Sequence, residues 1–161
     1  MDIKNSIVLL ALLGLGLLFA WHKRVLIMPF VVALLTSLAW TFYYPYEYAD
    51  NNFLLFGRIN MYPLVLWTVS LVALYSLYLR LPKRYRPIAF TMLYFTLLGA
   101  VETIGYHYLN IRLTSNYTSL LGLGVIHAPV SMKIFYVVAG PAYILLTRSI
   151  AHAMEKRVSE E

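Results

Sequence analysis

The chain has 161 residues, of which 61% are hydrophobic, 16% aromatic and only 12% charged, and its mean hydropathy is +0.70. A soluble domain carries about twice that charged fraction. Several apolar runs approach the roughly 20 residues that cross a bilayer as a helix, so a soluble fold is excluded and the net charge of +6 reports orientation, not a nucleic-acid partner. The absence of cysteine excludes disulfides and thiolate metal centres.

The expected fold is all-α: a single polytopic membrane domain over 1–161 with five transmembrane helices at about 6–21, 25–44, 60–79, 87–109 and 129–150. The opening "MDIKN" is not a strongly basic leader and no small-residue cleavage site follows, so the first run is expected to be a retained helix. Pro29, Pro63, Pro87 and Pro129 fall within the first turn or so of an expected helix, where proline costs little backbone bonding. Pro45 and Pro82 fall just outside helices. Pro141 falls well inside the last one, where a kink is expected.

With this threading, one set of loops and ends carries Lys23, Arg24, Arg80, Lys83, Arg84, Arg86, Arg148, Lys156 and Arg157. The other keeps Lys4, Arg58, Arg112 and Lys133. The positive-inside rule then places the N-terminus outside and the C-terminus in the cytoplasm, in a plasma or cytoplasmic membrane. The tyrosines and tryptophan of "WTFYYPYEY" (40–48) are expected to anchor the second helix at the headgroups or, for some of these outer tyrosines, to stack on a ligand, and Tyr75 and Tyr78 to mark the inner end of the third.

The stretch "GRINMYPLVLW" (57–67) resembles the Gly-Pro approach to a helix in membrane-integral lycopene cyclases. Leu64, Val65 and Leu66 stand where those enzymes carry paired carboxylates, so the resemblance lends no site residue.

The fourth helix carries the most informative residue, Glu102. It lies about 15 residues past Pro87, roughly 22 Å along a helix, and so in the outer half of the membrane. A carboxylate there costs a few kcal/mol and should face protein or water. Gly99 and Gly105, three residues to either side, allow a neighbouring helix to approach on that face. Arg58 is the expected countercharge, with Asn60 and Tyr62 as hydrogen-bond partners. Tyr106, His107 and His127 complete the candidate binding set, and Glu47, Asp50, Asn51 and Asn52 lie on the same side. Glu102 is thus either an acid–base or ligand-binding group or one half of an ion pair that fastens two helices. Glu102 and His107 lie about 140° apart on an ideal helix and cannot easily share a metal ion, so no metal site is assigned. His22 and His152 read as solvated residues of the inner side.

The segment 120–130 is too apolar for an ordinary loop and too short to span, which predicts an interfacial cap or a re-entrant lid. Asn116-Tyr117-Thr118 matches a glycosylation sequon.

Three functions fit. The first is a membrane protein with an outward-facing polar and aromatic pocket that binds, or binds and modifies, a lipid-soluble small molecule such as an isoprenoid, quinone, sterol or lipid. The second is a non-catalytic structural or assembly subunit of a larger membrane complex or homo-oligomer. The third is a proton-coupled transporter, against which five unrepeated helices argue. No cofactor is indicated, and the partners expected are membrane lipids and no nucleic acid.

Overall fold

The computed structural model describes residues 3–44, 46–49 and 55–160. It is all-helical apart from a two-residue ladder that pairs Leu55–Phe56 (β1) with Ile59–Asn60 (β2). Helix α1 runs Ile3–Tyr43, α2 Met61–Arg80, α3 Arg86–Thr103 and α4 Val130–Glu160.

Helical backbone is continuous through α1, yet α1 is not straight. A straight helix would place Lys4 about 58 Å from Tyr43, and five further residues reach at most about 18 Å. Nevertheless the Lys4 ammonium lies 4.9 Å from the centre of the Tyr48 ring. Phe19 and Phe30 also meet edge to face at 5.4 Å, although 11 residues of straight helix separate them by about 16 Å. The chain therefore reverses between Phe19 and Phe30, and α1 is a helical hairpin with arms Ile3–Ala20 and Leu26–Tyr43. Counting the arms separately, five helical segments are long and apolar enough to cross a membrane. The other three are Met61–Arg80, Lys83–Tyr108 and Val130–Met154.

These segments alternate in direction between two ends. At the tyrosine-rich end, Lys4 meets Tyr48, the Asn60 side-chain amide donates to the Tyr46 carbonyl at 3.1 Å, and Tyr106 stacks on His127. At the arginine-rich end, Arg148 donates to the Tyr78 hydroxyl at 2.8 Å and Arg86 lies over the same ring. Tyr75 and Tyr78, expected as headgroup anchors, are instead buried in the packing. Tyr43 is 75% exposed, whereas Tyr46 is 2% exposed and belongs to the interior.

Local chemistry sets the helix limits. Asn60 caps α2 by accepting from the Tyr62 N–H at 3.1 Å. Leu81 ends it just before Pro82, and Pro87 opens α3 in its first turn. The sequence limit of 150 for the last helix is short, because helical backbone continues to Glu160 through a polar segment. Asp50, Asn51, Asn52 and Pro45 lie outside the described residues.

Helix α3 does not run regularly to 109. From Ile104 to Tyr108 it widens to π geometry, and the Leu109 N–H bonds the Ile104 carbonyl at 3.0 Å. Such widenings are uncommon and concentrate at functional sites. Here one follows Glu102 directly. Beyond it, residues 112–114 pair with 47–49: the Ala49 N–H donates to the Arg112 carbonyl and the Thr114 N–H to the Glu47 carbonyl, both at 2.9 Å.

Candidate functional site

A cavity of about 570 Å³ opens between α2 and α3. On α2 it is lined from Tyr62 through Leu66, Ser70 and Ala73 to Leu77. These residues recur at three- and four-residue intervals and share one face. At 1.5 Å per residue the groove follows α2 for about 22 Å. Leu97, Leu98 and Val101 of α3 form the opposite wall. The small side chains of Ser70 and Ala73 are what leave room midway.

The polar groups gather at one end. Glu102 lines the cavity there with Tyr46, Tyr48, Tyr62, Tyr106, His127 and Tyr136. Among the described residues nothing hydrogen-bonds its carboxyl group. The expected partner, Arg58, is exposed in the turn between β1 and β2 and does not line the cavity. The Glu102–Arg58 pair is therefore not formed, because the turn carries Arg58 away from the bundle. Asn60 is buried but acts behind the site, holding Tyr46 in place while it caps α2. His107 also lies off the cavity: it is exposed, and its Nε2 is 3.0 Å from the Gly124 carbonyl. Of the residues expected from sequence, Glu102, Tyr62, Tyr106 and His127 thus line the cavity together, Arg58 and Asn60 do not line it, and His107 touches Tyr106 and His127 from outside it.

The tyrosines form a network. The indole N–H groups of Trp40 and Trp67 both donate to the Tyr46 hydroxyl, at 2.8 and 3.2 Å. Indole nitrogen is a donor only, and a hydroxyl oxygen has two lone pairs, so both bonds fall on the Tyr46 oxygen. The Tyr136 hydroxyl is a further partner of Tyr46. Burial pushes the Tyr46 phenol up to about 12, with the Glu102 charge adding to it. Burial likewise holds Tyr48 well above the usual phenol value. Both stay protonated and uncharged at neutral pH. Tyr94 is fixed on the cavity wall by donating to the Tyr136 carbonyl.

The segment before α4 covers this polar end. Ile126 and Ala128 are each 3% exposed and pack against Tyr46 and Met132. Leu121 and Leu123 point the other way, at 86% and 69% exposure. The segment is largely irregular backbone. Its only regular turn is Leu120–Gly122, and Gly122 and Gly124 take the positive φ that reverses the chain there.

Sequence reasoning gives Tyr46 and Tyr48 an anchoring role, with ligand stacking as the alternative, and does not single out Trp67 or Tyr136. The signal was present in the density of aromatics at 40–48, but headgroup anchors carry the same signature. Among the described residues no three His, Asp or Glu side chains come together to hold a metal. The site can accept an elongated apolar molecule and offer a carboxyl group and a phenol to its polar end. No family profile, curated protein or solved structure matches the chain.

Proposed function

We propose that this is an integral membrane protein that takes a chain-shaped, lipid-soluble molecule into the groove between α2 and α3. The five apolar segments cross the bilayer with the tyrosine-rich end outside and the arginine-rich end in the cytoplasm, as the distribution of Lys and Arg favours. Ligand pockets are commonly about 300–1,000 Å³, mostly apolar, with a few convergent polar groups, and this cavity fits that description. The observation that carries the reading is the Glu102 carboxyl group, which has no hydrogen-bond partner among the described residues and faces an apolar groove about 22 Å long. Glu102 and the Tyr136 hydroxyl meet the polar end of the ligand, and the apolar remainder lies along Leu66, Ala73 and Leu77. The same pair would serve as proton donor and acceptor if the ligand is chemically altered.

The test is retention of a hydrophobic molecule. The protein is purified in mild detergent, and its extractable lipids are compared by mass spectrometry with those of Ala73→Phe and Glu102→Gln. Ala73→Phe fills the groove midway and should remove the retained species while the protein stays folded. Glu102→Gln keeps the shape and should lower retention. An identical lipid complement in all three proteins refutes the reading. A wild-type protein that purifies only within a fixed larger complex, without a retained lipid, supports an assembly subunit instead.

A further inference from the structure

Three basic side chains from three separate parts of the chain, His107, Arg112 and Lys133, gather around His127 at the rim of the groove. The His127 imidazole lies flat on the Tyr106 ring, with centroids 3.7 Å apart and planes 11° apart. The Arg112 guanidinium lies 4.6 Å from the centre of the same ring, and the stacked imidazole leaves it only the opposite face. His107 stands edge-on to His127 at 5.9 Å. Lys133, in the first turn of α4, reaches over the connecting segment to donate to the Thr118 hydroxyl at 3.1 Å and the Ser119 carbonyl at 3.3 Å.

Among the described residues no carboxylate pairs with them. The bonds these side chains make go to neutral oxygens: Arg112 to the Tyr106 carbonyl, His107 to the Gly124 carbonyl, and Lys133 to the two just named. Glu47, on the neighbouring segment, is exposed and forms no ion pair with them. The His127 Nδ1 is buried without a hydrogen-bond partner, an arrangement that costs free energy unless something supplies the bond. The positive end of the long helix α4 begins at Val130, beside the cluster. Tyr106, Ile111, Leu113 and His127 border both the cluster and the cavity.

We propose that His107, Arg112, His127 and Lys133 form an oxyanion site at the rim of the groove, which takes a phosphate group either from a lipid headgroup or from solution. Arg112 offers a planar fork that suits a phosphate, and Lys133 a point charge. The site does not depend on what fills the groove. It also makes a linked statement about His127. Burial first, then the charges of His107, Lys133 and Arg112, hold the imidazole below its usual value. The groups that face it are Tyr106 and His107 from the π segment, Arg112 from the following strand-like stretch and Lys133 from α4. All those charged groups repel a proton. A bound dianion reverses the local balance, so the imidazole gains a proton when the anion binds.

The experiment is a pH titration of the His127 ring signal by NMR, on the full chain in a neutral detergent. Inorganic phosphate is compared with chloride at equal ionic strength. The expected result is a rise of about one pH unit in the His127 midpoint with phosphate, reduced by at least half in Arg112→Gln/Lys133→Gln. In a second arm the protein is placed in phosphatidylcholine bilayers with or without phosphatidic acid, in phosphate-free buffer. The same rise with phosphatidic acid identifies a lipid headgroup as the source, whereas a rise with inorganic phosphate alone identifies the free ion. An unmoved midpoint in both arms overturns the proposal, as does an equal rise in the double variant. Lipid retention measured on the same samples is independent of either outcome.

Discussion

Replacing Tyr46 with Phe removes one oxygen atom and, with it, the acceptor of two indole N–H groups. Tyr46 is 2% exposed, so water does not replace that oxygen easily. Each buried donor left without a partner costs about 1–3 kcal/mol. Both indoles are only partly buried, and the Trp67 bond at 3.2 Å is longer than the Trp40 bond at 2.8 Å. Trp67 should therefore contribute less, and the two together give about 2–4 kcal/mol. The loss of the bond to Tyr136 falls within the same range. The assay is equilibrium unfolding in mixed micelles, followed by tryptophan fluorescence. A double-mutant cycle between Tyr46→Phe and Trp40→Phe isolates the hydrogen bond from the loss of Trp40 stacking on Phe135, where the rings lie 3.8 Å apart. The coupling should be about 1 kcal/mol. A Tyr46→Phe protein that unfolds within about 0.5 kcal/mol of the parent, or strict additivity in the cycle, refutes the network.

Two further outcomes follow from packing and charge. Gly140→Ala drives a Cβ into the Tyr94 ring, which overpacks α3 against α4 by about 1–3 kcal/mol; Tyr94→Leu in the same protein should recover part of the loss, and an unchanged unfolding midpoint in Gly140→Ala would contradict the contact. Reporter fusions after Arg86 and after Glu161 should both register the cytoplasm, with those near Asn51 and Asn116 on the other side, and disagreement between the first two would overturn five crossings.

The helices were legible because 18-residue apolar runs leave few alternatives. Their ends were legible where proline or a capping side chain sits, as at Asn60 and Pro87. The two-arm nature of α1 was also readable, from the Lys23-Arg24 break, although helical backbone continues across it. What sequence could not supply was distance. Arg58 and Glu102 are the obvious opposite charges of the outer side, but pairing needs the β1–β2 turn to fold inward, and that turn faces outward. The π segment was hidden for the same reason: "IGYHY" carries no marker that separates a wide turn from a regular one. Tyr46 illustrates a different limit. One residue of an aromatic cluster becomes core while Tyr43 stays exposed, and only the position of Trp67 and Tyr136 decides which.

Without Arg58 beside it, Glu102 has no ion-pair partner among the described residues with which to fasten two helices. A carboxyl group within an apolar segment costs about 2–3 kcal/mol near the membrane centre and less toward the surface. An ion pair or a set of hydrogen bonds would offset that cost, and none is formed by the described residues. In the empty protein Glu102 is therefore a net burden on stability, which is the pattern expected where function and stability compete. Glu102→Leu should raise the unfolding midpoint in phosphatidylcholine bicelles, by a stabilisation on the order of 1 kcal/mol, and at the same time abolish retention of the groove's hydrophobic molecule. Glu102→Gln should lie between the two, because it removes the charge and keeps a polar group that still needs partners. A fastener predicts the opposite order, with the leucine protein least stable because a partner is left behind unpaired. Measured on ligand-stripped protein, a fall in stability with Glu102→Leu would restore the fastening role and refute the reading of Glu102 as a group held ready for a ligand.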